Sequence, residues 1–480
     1  MKEEKNYHMD VEAFRKHGKQ VIDWLADYYE SIEDYPVLSQ VAPGEIRNSL
    51  PAHPPVKGES FDDMLKDVSD IITKGITHWQ SPNFYAYFPA NVSGPSILGE
   101  LLSAGFGVQG MLWSTSPACT ELETHVMDWL AEALQLPEKF YSRSTGGGVI
   151  EDSASSAALC ALLAARERVT NNRSADFHEK MSKCTIYISS QTHSSLKKAC
   201  IIAGISDNNI RYIPVDENYS MNPDELLSRI CQDRHDGFIP MFVCASVGTT
   251  SSLAIDPVLQ VGEICSAEQI WLHIDAAMAG TAAVCPEYRY LIDGVELADS
   301  FSFNPHKWMF TNFDCNCFYV ADKNELVKAL TINPEYLKNK YSDANEVIDY
   351  RDWQVSLGRR FRSLKLWFVI RYYGLEGIRY HIKKHIGITK QLTAMIQKNA
   401  DFEILSPVSL NLICFRHNKG NDFNKKLLDE LNKSGKIFMS HTVLDGKYYI
   451  RLCVGQTNTE LSHVEKAWKL IEETADQLKG

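Results

Sequence analysis

Three residues and one loop, far apart in the chain, have types and settings that could do chemistry together. Lys307, in Ser302-Phe303-Asn304-Pro305-His306-Lys307-Trp308, follows an apolar segment and is flanked by a proline and a large aromatic. Such an amine is poised to form a Schiff base with a carbonyl compound. Asp275 ends the apolar run Ile270-Trp271-Leu272-His273-Ile274 and precedes Ala276 and Ala277. A carboxylate buried there needs a positive partner, and the small residues after it leave room for a close-packed ligand. His193, in Gln191-Thr192-His193-Ser194-Ser195, falls between a predicted strand and a predicted helix. An imidazole at that place can stack on a ring and handle protons near neutrality. Gly146-Gly147-Gly148 leads through Val149 and Ile150 to Ser153-Ala154-Ser155-Ser156 and an alanine-rich helical stretch, Ala157–Arg168. Glycines followed by small hydroxyl residues at a helix start form a phosphate cradle from free N–H groups and the helix dipole.

Each feature also has a bland reading: one of 49 Lys and Arg residues at the surface, a helix-capping Asp, a structural His, a flexible loop. The combination discriminates. A ring nitrogen that wants an acid, a phosphate that wants donors, a ring that wants a stacking partner and an aldehyde that wants an amine are together the demands of pyridoxal phosphate. Ser246, before Gly248-Thr249-Thr250, and Asn304, three residues before the lysine, could add hydrogen bonds. A nucleotide P-loop is excluded, because no Gly-Lys-Ser/Thr follows the glycines.

To bring these residues together the chain needs a sheet whose strands end at one edge. Cys184–Ser189, Ile210–Val215, Pro240–Val247, Ile270–Ala276 and Cys315–Val320 are short apolar runs rich in β-branched residues. Helical stretches lie between several of them, at Ser195–Ala203 and, after Asn222-Pro223, at Asp224–Cys231. Strands alternating with helices predict an α/β fold with a mostly parallel sheet covered on both faces. Ligands of such sheets sit at the carboxyl ends of the strands. Residues 11–33 carry apolar positions at helical spacing, and Pro51 to Gly58 reads as an extended connector. The expected division is an N-terminal helical segment (1–85) that packs on a second copy, a large cofactor domain (86–375), and a smaller C-terminal α/β domain (376–480).

The 480 residues carry a net charge of −12, which argues against nucleic acid or an anionic membrane as the main partner. No apolar run approaches the roughly 20 residues of a membrane span, and the first residues lack a signal peptide's apolar core. The twelve cysteines are scattered and mostly in apolar stretches, as expected of buried thiols. Cys315 and Cys317 read as alternating strand positions and not as metal ligands. A cytoplasmic location is the expectation.

The sequence resembles the pyridoxal-phosphate-dependent aromatic L-amino acid decarboxylases, the group that also holds tyrosine, tryptophan and histidine decarboxylases. The likeness runs through Phe84-Tyr85-Ala86-Tyr87-Phe88-Pro89, Ser116-Pro117-Ala118-Cys119-Thr120-Glu121-Leu122-Glu123, Gly146–Ser155, Asp275-Ala276-Ala277, Asn304–Trp308 and Gly358–Lys365. It implies an aminotransferase-like (type I) fold and a homodimer with each site at the subunit interface. It further implies cofactor contacts at Ala154, Ser155, His193, Ser246, Asp275, Ala277, Asn304 and Lys307, and a proton-donating loop tyrosine at Tyr336. Relatives that oxidise the amino acid to an aldehyde tend to carry Phe or Asn in place of that tyrosine or the stacking histidine. Tyr336 and His193 therefore favour decarboxylation to the arylalkylamine over an aldehyde synthase; a catalytically dead homologue acting as a binding partner is the reading from another class. Trp79, Tyr87 and Phe88 are the expected aromatic wall. Gly358 stands where relatives favouring indoles have glycine, which leaves space for a larger ring. Met111, Gln109, Met278 and Asp152 depart from the family pattern. Asp152 puts a negative charge beside the phosphate loop and is expected to point away from it.

Overall fold

Seven short strands form the larger sheet: β1 Gly147–Glu151, β2 Cys184–Ser189, β3 Ile210–Ile213, β4 Ile239–Ser246, β5 Trp271–Asp275, β6 Ser300–Phe303 and β7 Asn316–Val320, in the order β1-β7-β6-β5-β4-β2-β3. The computed structural model describes residues 7–171, 174–332, 347–405 and 407–479. From β6 to β3 the strands are parallel, while β7 runs antiparallel to both β6 and β1. β1 therefore points the same way as β6, and its carboxyl end reaches the same edge. These strands read as unbroken apolar runs because helices cover both faces; β1, β2, β6 and β7 are buried at every position.

Register fixes the working edge. Ser246 pairs with Asp275 and Asp275 with Ser302, so β4, β5 and β6 end level with one another. The β2 strand ends at Ser189, and its following turn delivers His193 to the same edge.

The glycine loop is a different object from the one expected. Gly147 and Gly148 belong to β1, and the helix begins at Ala154, three residues earlier than the alanine run suggests. Close packing explains the glycines: a Cβ on Gly146 would lie 1.9 Å from the Val320 carbonyl oxygen, and one on Gly148 2.5 Å from Met127 Cε. The free N–H groups of a helix start belong to Ala154 and Ser155, not to the glycines.

The smaller sheet, β8 Phe402–Ile404, β9 Leu412–His417, β10 Ser440–Leu444 and β11 Lys447–Cys453, is antiparallel in the order β10-β11-β9-β8. Helix Leu461–Gln477 lays Val464, Ala467, Trp468, Ile471 and Ala475 on it, spaced as one apolar stripe. Helix Arg362–Gln397 bridges the two halves and breaks at Gly374, whose φ of 59° suits glycine.

The N-terminal segment is split between two environments. Helix Val11–Glu30, capped by Asp10 accepting the Ala13 N–H at 2.7 Å, has no buried residue, and Val11 and Phe14 are exposed. Residues 61–78 pack on that helix through Gln20–Asp62, Trp24–Ser69 and Tyr28–His78, whereas Val37 and residues 82–91 join the C-terminal half. The Val37 N–H donates to Gly435 O, Tyr85 N–H to Phe438 O, and Cys453 N–H to Tyr85 O.

Candidate active site

The carboxyl edge of the large sheet encloses a cavity of about 230 Å³ lined by residues from six separate segments. Lys307 comes from the single helical turn Pro305–Trp308 directly after β6, where Asn304 N–H donates to Ala277 O and Lys307 N–H to Asn304 O. Asp275 comes from the end of β5, with Oδ1 accepting the Ala277 N–H at 3.0 Å. His193, Ser246, and the Ser153–Ser155 turn complete the wall. Thus Ala154, Ser155, His193, Ser246, Asp275, Ala277, Asn304, Lys307 and Phe88, nominated from the sequence, share one cavity.

Electrostatics within it follow from burial. Desolvation holds the Lys307 amine below the ordinary lysine range, and nearby Asp275 opposes that shift. The neutral amine, the nucleophilic form, is thereby favoured. The His193 ring is also lowered, by burial first, with Asp275 opposing and Lys307 reinforcing. Its Nδ1 accepts the Ser195 N–H at 3.2 Å and lies 2.8 Å from Ser195 Oγ, which leaves the ring proton on Nε2. His193 thus caps its helix, as the bland reading holds, and faces the cavity as well. His306 is pushed down to about 3 by burial and by Lys307, so it adds no positive charge.

Phe88 is set between two basic side chains. Lys307 Nζ lies 5.4 Å from the ring centroid and the Arg451 guanidinium 5.5 Å. Arg451, from β11, donates to the carbonyls of Thr250 at 2.7 Å and Ser251 at 3.0 Å, and to Ser440 Oγ at 2.8 Å. Sequence reasoning missed Arg451, Thr249, Thr250 and His306. The last three sit beside nominated residues, whereas nothing in the local pattern of β11 marks the arginine.

Trp79, Tyr87 and Gly358 do not line this cavity. Trp79 and Tyr87 stack on each other at 5.7 Å, both partly exposed, because Tyr87 and Phe88 point to opposite sides. Gly358 lies against the Gln109 side chain, 3.3 Å from a Cβ placed there to Nε2, and Gln109 Oε1 accepts the Arg359 N–H at 2.9 Å. Met278 is core. Tyr336 lies outside the described residues.

Outside the cavity lining, a buried ion pair joins three elements. Arg359 donates to Glu123 Oε1, to Gln354 Oε1 at 2.7 Å and to the Ile150 carbonyl at 3.4 Å, and Glu123 Oε1 also accepts the Ile150 N–H at 2.8 Å. The next residue, Glu151, is fully buried with Cys160 Sγ donating to it at 3.4 Å. Burial pushes it up to about 7, against the pull of Arg359.

A ligand that fits must offer polar partners, because Ser246 Oγ and Asn304 Oδ1 are buried in the cavity wall without any. It must also meet an amine, an acid and the first turn of a helix. A small ring with an aldehyde and a phosphate arm answers all of these, which makes this the site of a pyridoxal-phosphate enzyme.

The comparisons narrow the class. The family described as the pyridoxal-dependent decarboxylase conserved domain matches residues 43–418. A phenylacetaldehyde synthase of Arabidopsis thaliana is 50% identical, covering 98% of this chain and 97% of that protein. Tryptophan decarboxylase 2 of Oryza sativa subsp. japonica is 47% identical, covering 98% and 96%. The crystal structure of Oryza sativa TDC with PLP and tryptamine superposes with a TM-score of 0.97 at 40% identity, covering 99% of this chain and all of that one. The chain belongs to the pyridoxal-dependent decarboxylase family, and pyridoxal phosphate is its cofactor.

Proposed function

We propose that this protein removes the carboxyl group of aromatic L-amino acids and releases the arylalkylamine and CO₂. The observation that carries the reading is the meeting of Lys307, Asp275 and His193 in one cavity, on a chain whose relatives include a tryptophan decarboxylase. Bound pyridoxal phosphate supplies an aldehyde for exchange of amines and a protonated ring that accepts the electrons freed as CO₂ leaves. Lys307, whose amine burial holds below the ordinary lysine range, would provide the amine that holds the cofactor and exchanges with that of the substrate. Asp275 would keep the proton on the ring nitrogen. His193 would stack on the ring, with its Nε2 proton available. The Ser153–Ser155 turn would take the phosphate, the Ser246 hydroxyl and the Asn304 amide N–H groups can donate to the cofactor, and Ala277 leaves it room. Tyr336 returns a proton to the substrate α-carbon.

For the substrate ring, the aromatic wall of Trp79, Tyr87 and Phe88 and the missing side chain at Gly358, where Gln109 now packs, favour phenyl and indole side chains, with indoles among the best. Trp79, Tyr87 and Gly358 lie away from the lysine cavity of their own chain, so this reading assigns them to a site shared by two copies. A homodimer is supported by the apolar side chains left exposed on helix Gly94–Phe106 (Leu98, Leu101, Leu102, Phe106) and at Val11 and Phe14. Sedimentation at micromolar concentration should give twice the chain mass. The cytoplasm remains the proposed location, in keeping with twelve free cysteines, eleven of them buried; fractionation of tagged protein tests it.

Aldehyde synthesis is the second reading, favoured by the 50% identity to a phenylacetaldehyde synthase. One experiment separates the two. Purified enzyme is offered Trp, 5-hydroxy-Trp, Tyr, DOPA, Phe and His under air, and amine, ammonia and hydrogen peroxide are measured. Amine without peroxide supports the decarboxylase, and Tyr336→Phe should then divert product to aldehyde. Peroxide and ammonia in step with product would establish the synthase instead, and unchanged amine output from the Tyr336 variant would remove that residue from the mechanism.

A further inference from the structure

Asp152 stands immediately before the turn that meets the cavity. Its carboxylate is exposed and does not line the cavity, in agreement with the expectation that it points away. It is engaged nonetheless. Oδ1 accepts the Ser153 hydroxyl at 2.9 Å and the Ser156 hydroxyl at 2.5 Å, while Ser153 Oγ accepts the Ser156 N–H at 3.3 Å. Ser153 is itself part of the cavity wall.

Two consequences follow for an anion bound at this turn. The hydroxyl hydrogens of Ser153 and Ser156 are committed to Asp152. What remains for the anion is the Ser155 hydroxyl and the first-turn N–H groups of Ala154 and Ser155, which the helix itself does not use. A negative charge also sits at the positive end of the 17-residue helix Ala154–Thr170 and offsets part of its dipole. That the cavity takes a polar ligand is shown independently by the buried, unpartnered oxygens of Ser246 and Asn304 across from the turn.

We propose that Asp152 is a positioning residue that loosens the protein's hold on the phosphate of pyridoxal phosphate, by claiming two serine hydroxyls and by opposing the helix dipole. The proposal rests on the reading of Ser153–Ser155 as the phosphate site. An exposed charge near a helix terminus changes anion binding by a modest factor, roughly two- to fivefold.

The test is cofactor affinity, not turnover. Apoenzyme of the parent chain, Asp152→Asn and Asp152→Ala is titrated with pyridoxal phosphate and, separately, with pyridoxal, following quenching of tryptophan fluorescence. Both variants should bind pyridoxal phosphate roughly two- to fivefold more tightly, with the larger gain in Asp152→Ala, which frees both hydroxyls. Pyridoxal, which has no phosphate, should bind all three alike, and the gain for the phosphate form should shrink in high salt, where exposed charge is screened. Unchanged or weaker affinity for pyridoxal phosphate in both folded variants overturns the proposal, as does an equal gain for pyridoxal. Ser155→Ala separates the two levels of failure. If it weakens the phosphate form while the Asp152 variants do nothing, only the role of Asp152 falls; if it too leaves affinity unchanged, the phosphate site lies elsewhere and the proposal falls with it.

Discussion

Replacing Glu123 by Gln removes a charge and almost nothing else. The pair it forms with Arg359 is 1% exposed on both sides, so neither charge has water to fall back on. The amide oxygen of the new side chain can still accept the Ile150 N–H, which Glu123 now takes at 2.8 Å. Arg359 would keep Gln354 Oε1 at 2.7 Å and two longer carbonyl contacts, but no counter-charge. Its Nε already lacks a partner. Breaking a buried pair from one side costs about 3–5 kcal/mol. With three neutral acceptors remaining, the lower end, about 3 kcal/mol, is expected. Urea midpoints at fixed protein and cofactor concentration measure it. The double variant Glu123→Gln/Arg359→Met should cost clearly less than the sum of its singles, because it leaves no lone charge. Additive effects, each under about 1 kcal/mol, would refute the claim that this pair holds β1 and the Gly358 segment together.

Glu151 predicts a pH dependence whose sign is fixed by burial. Its carboxyl is raised from 4.5 to about 7, so between those values the folded chain holds a proton that the unfolded chain has lost. Stability from this group is present below pH 4.5 and is lost as pH rises through about 7, a difference of about 3 kcal/mol. Melting temperatures of the parent and Glu151→Gln between pH 5 and 8 should therefore diverge, the parent losing ground as pH rises; parallel profiles would count against it. Lys307→Ala should lose both the visible absorbance of the lysine-linked cofactor and amine release, and a yellow, active variant would move the chemistry to another residue.

The parallel strands and the residues at their ends were legible because both signals are local. A buried parallel strand is a continuous apolar run, and Ser246 and Asp275 each end one. β6 was missed: Ser300-Phe301-Ser302-Phe303 alternates as a half-exposed strand would, yet all four residues are buried. The glycines before the phosphate turn were misread for a related reason. Their small size serves contacts with Val320 and Met127, far away in the sequence, and nothing beside them announces that. Arg451 could not have been found from its neighbours, since its partners Thr250, Ser251 and Phe88 lie in distant segments. The substrate ring was the hardest part, because Trp79, Tyr87 and Gly358 do not share a cavity with the lysine in their own chain.

The hydrogen bonds from Cys453 to Tyr85 and from Tyr85 to Phe438 have a consequence for biogenesis. Val37 and residues 82–91 lack these backbone partners until the last strands of the chain exist. During synthesis, at about 5–20 residues per second, this early segment must wait tens of seconds for its partners to be made. Phe88, which forms one wall of the cavity, waits with it. The large sheet can be complete while the site still stands open, and it closes only when the end of the chain reaches back to the beginning.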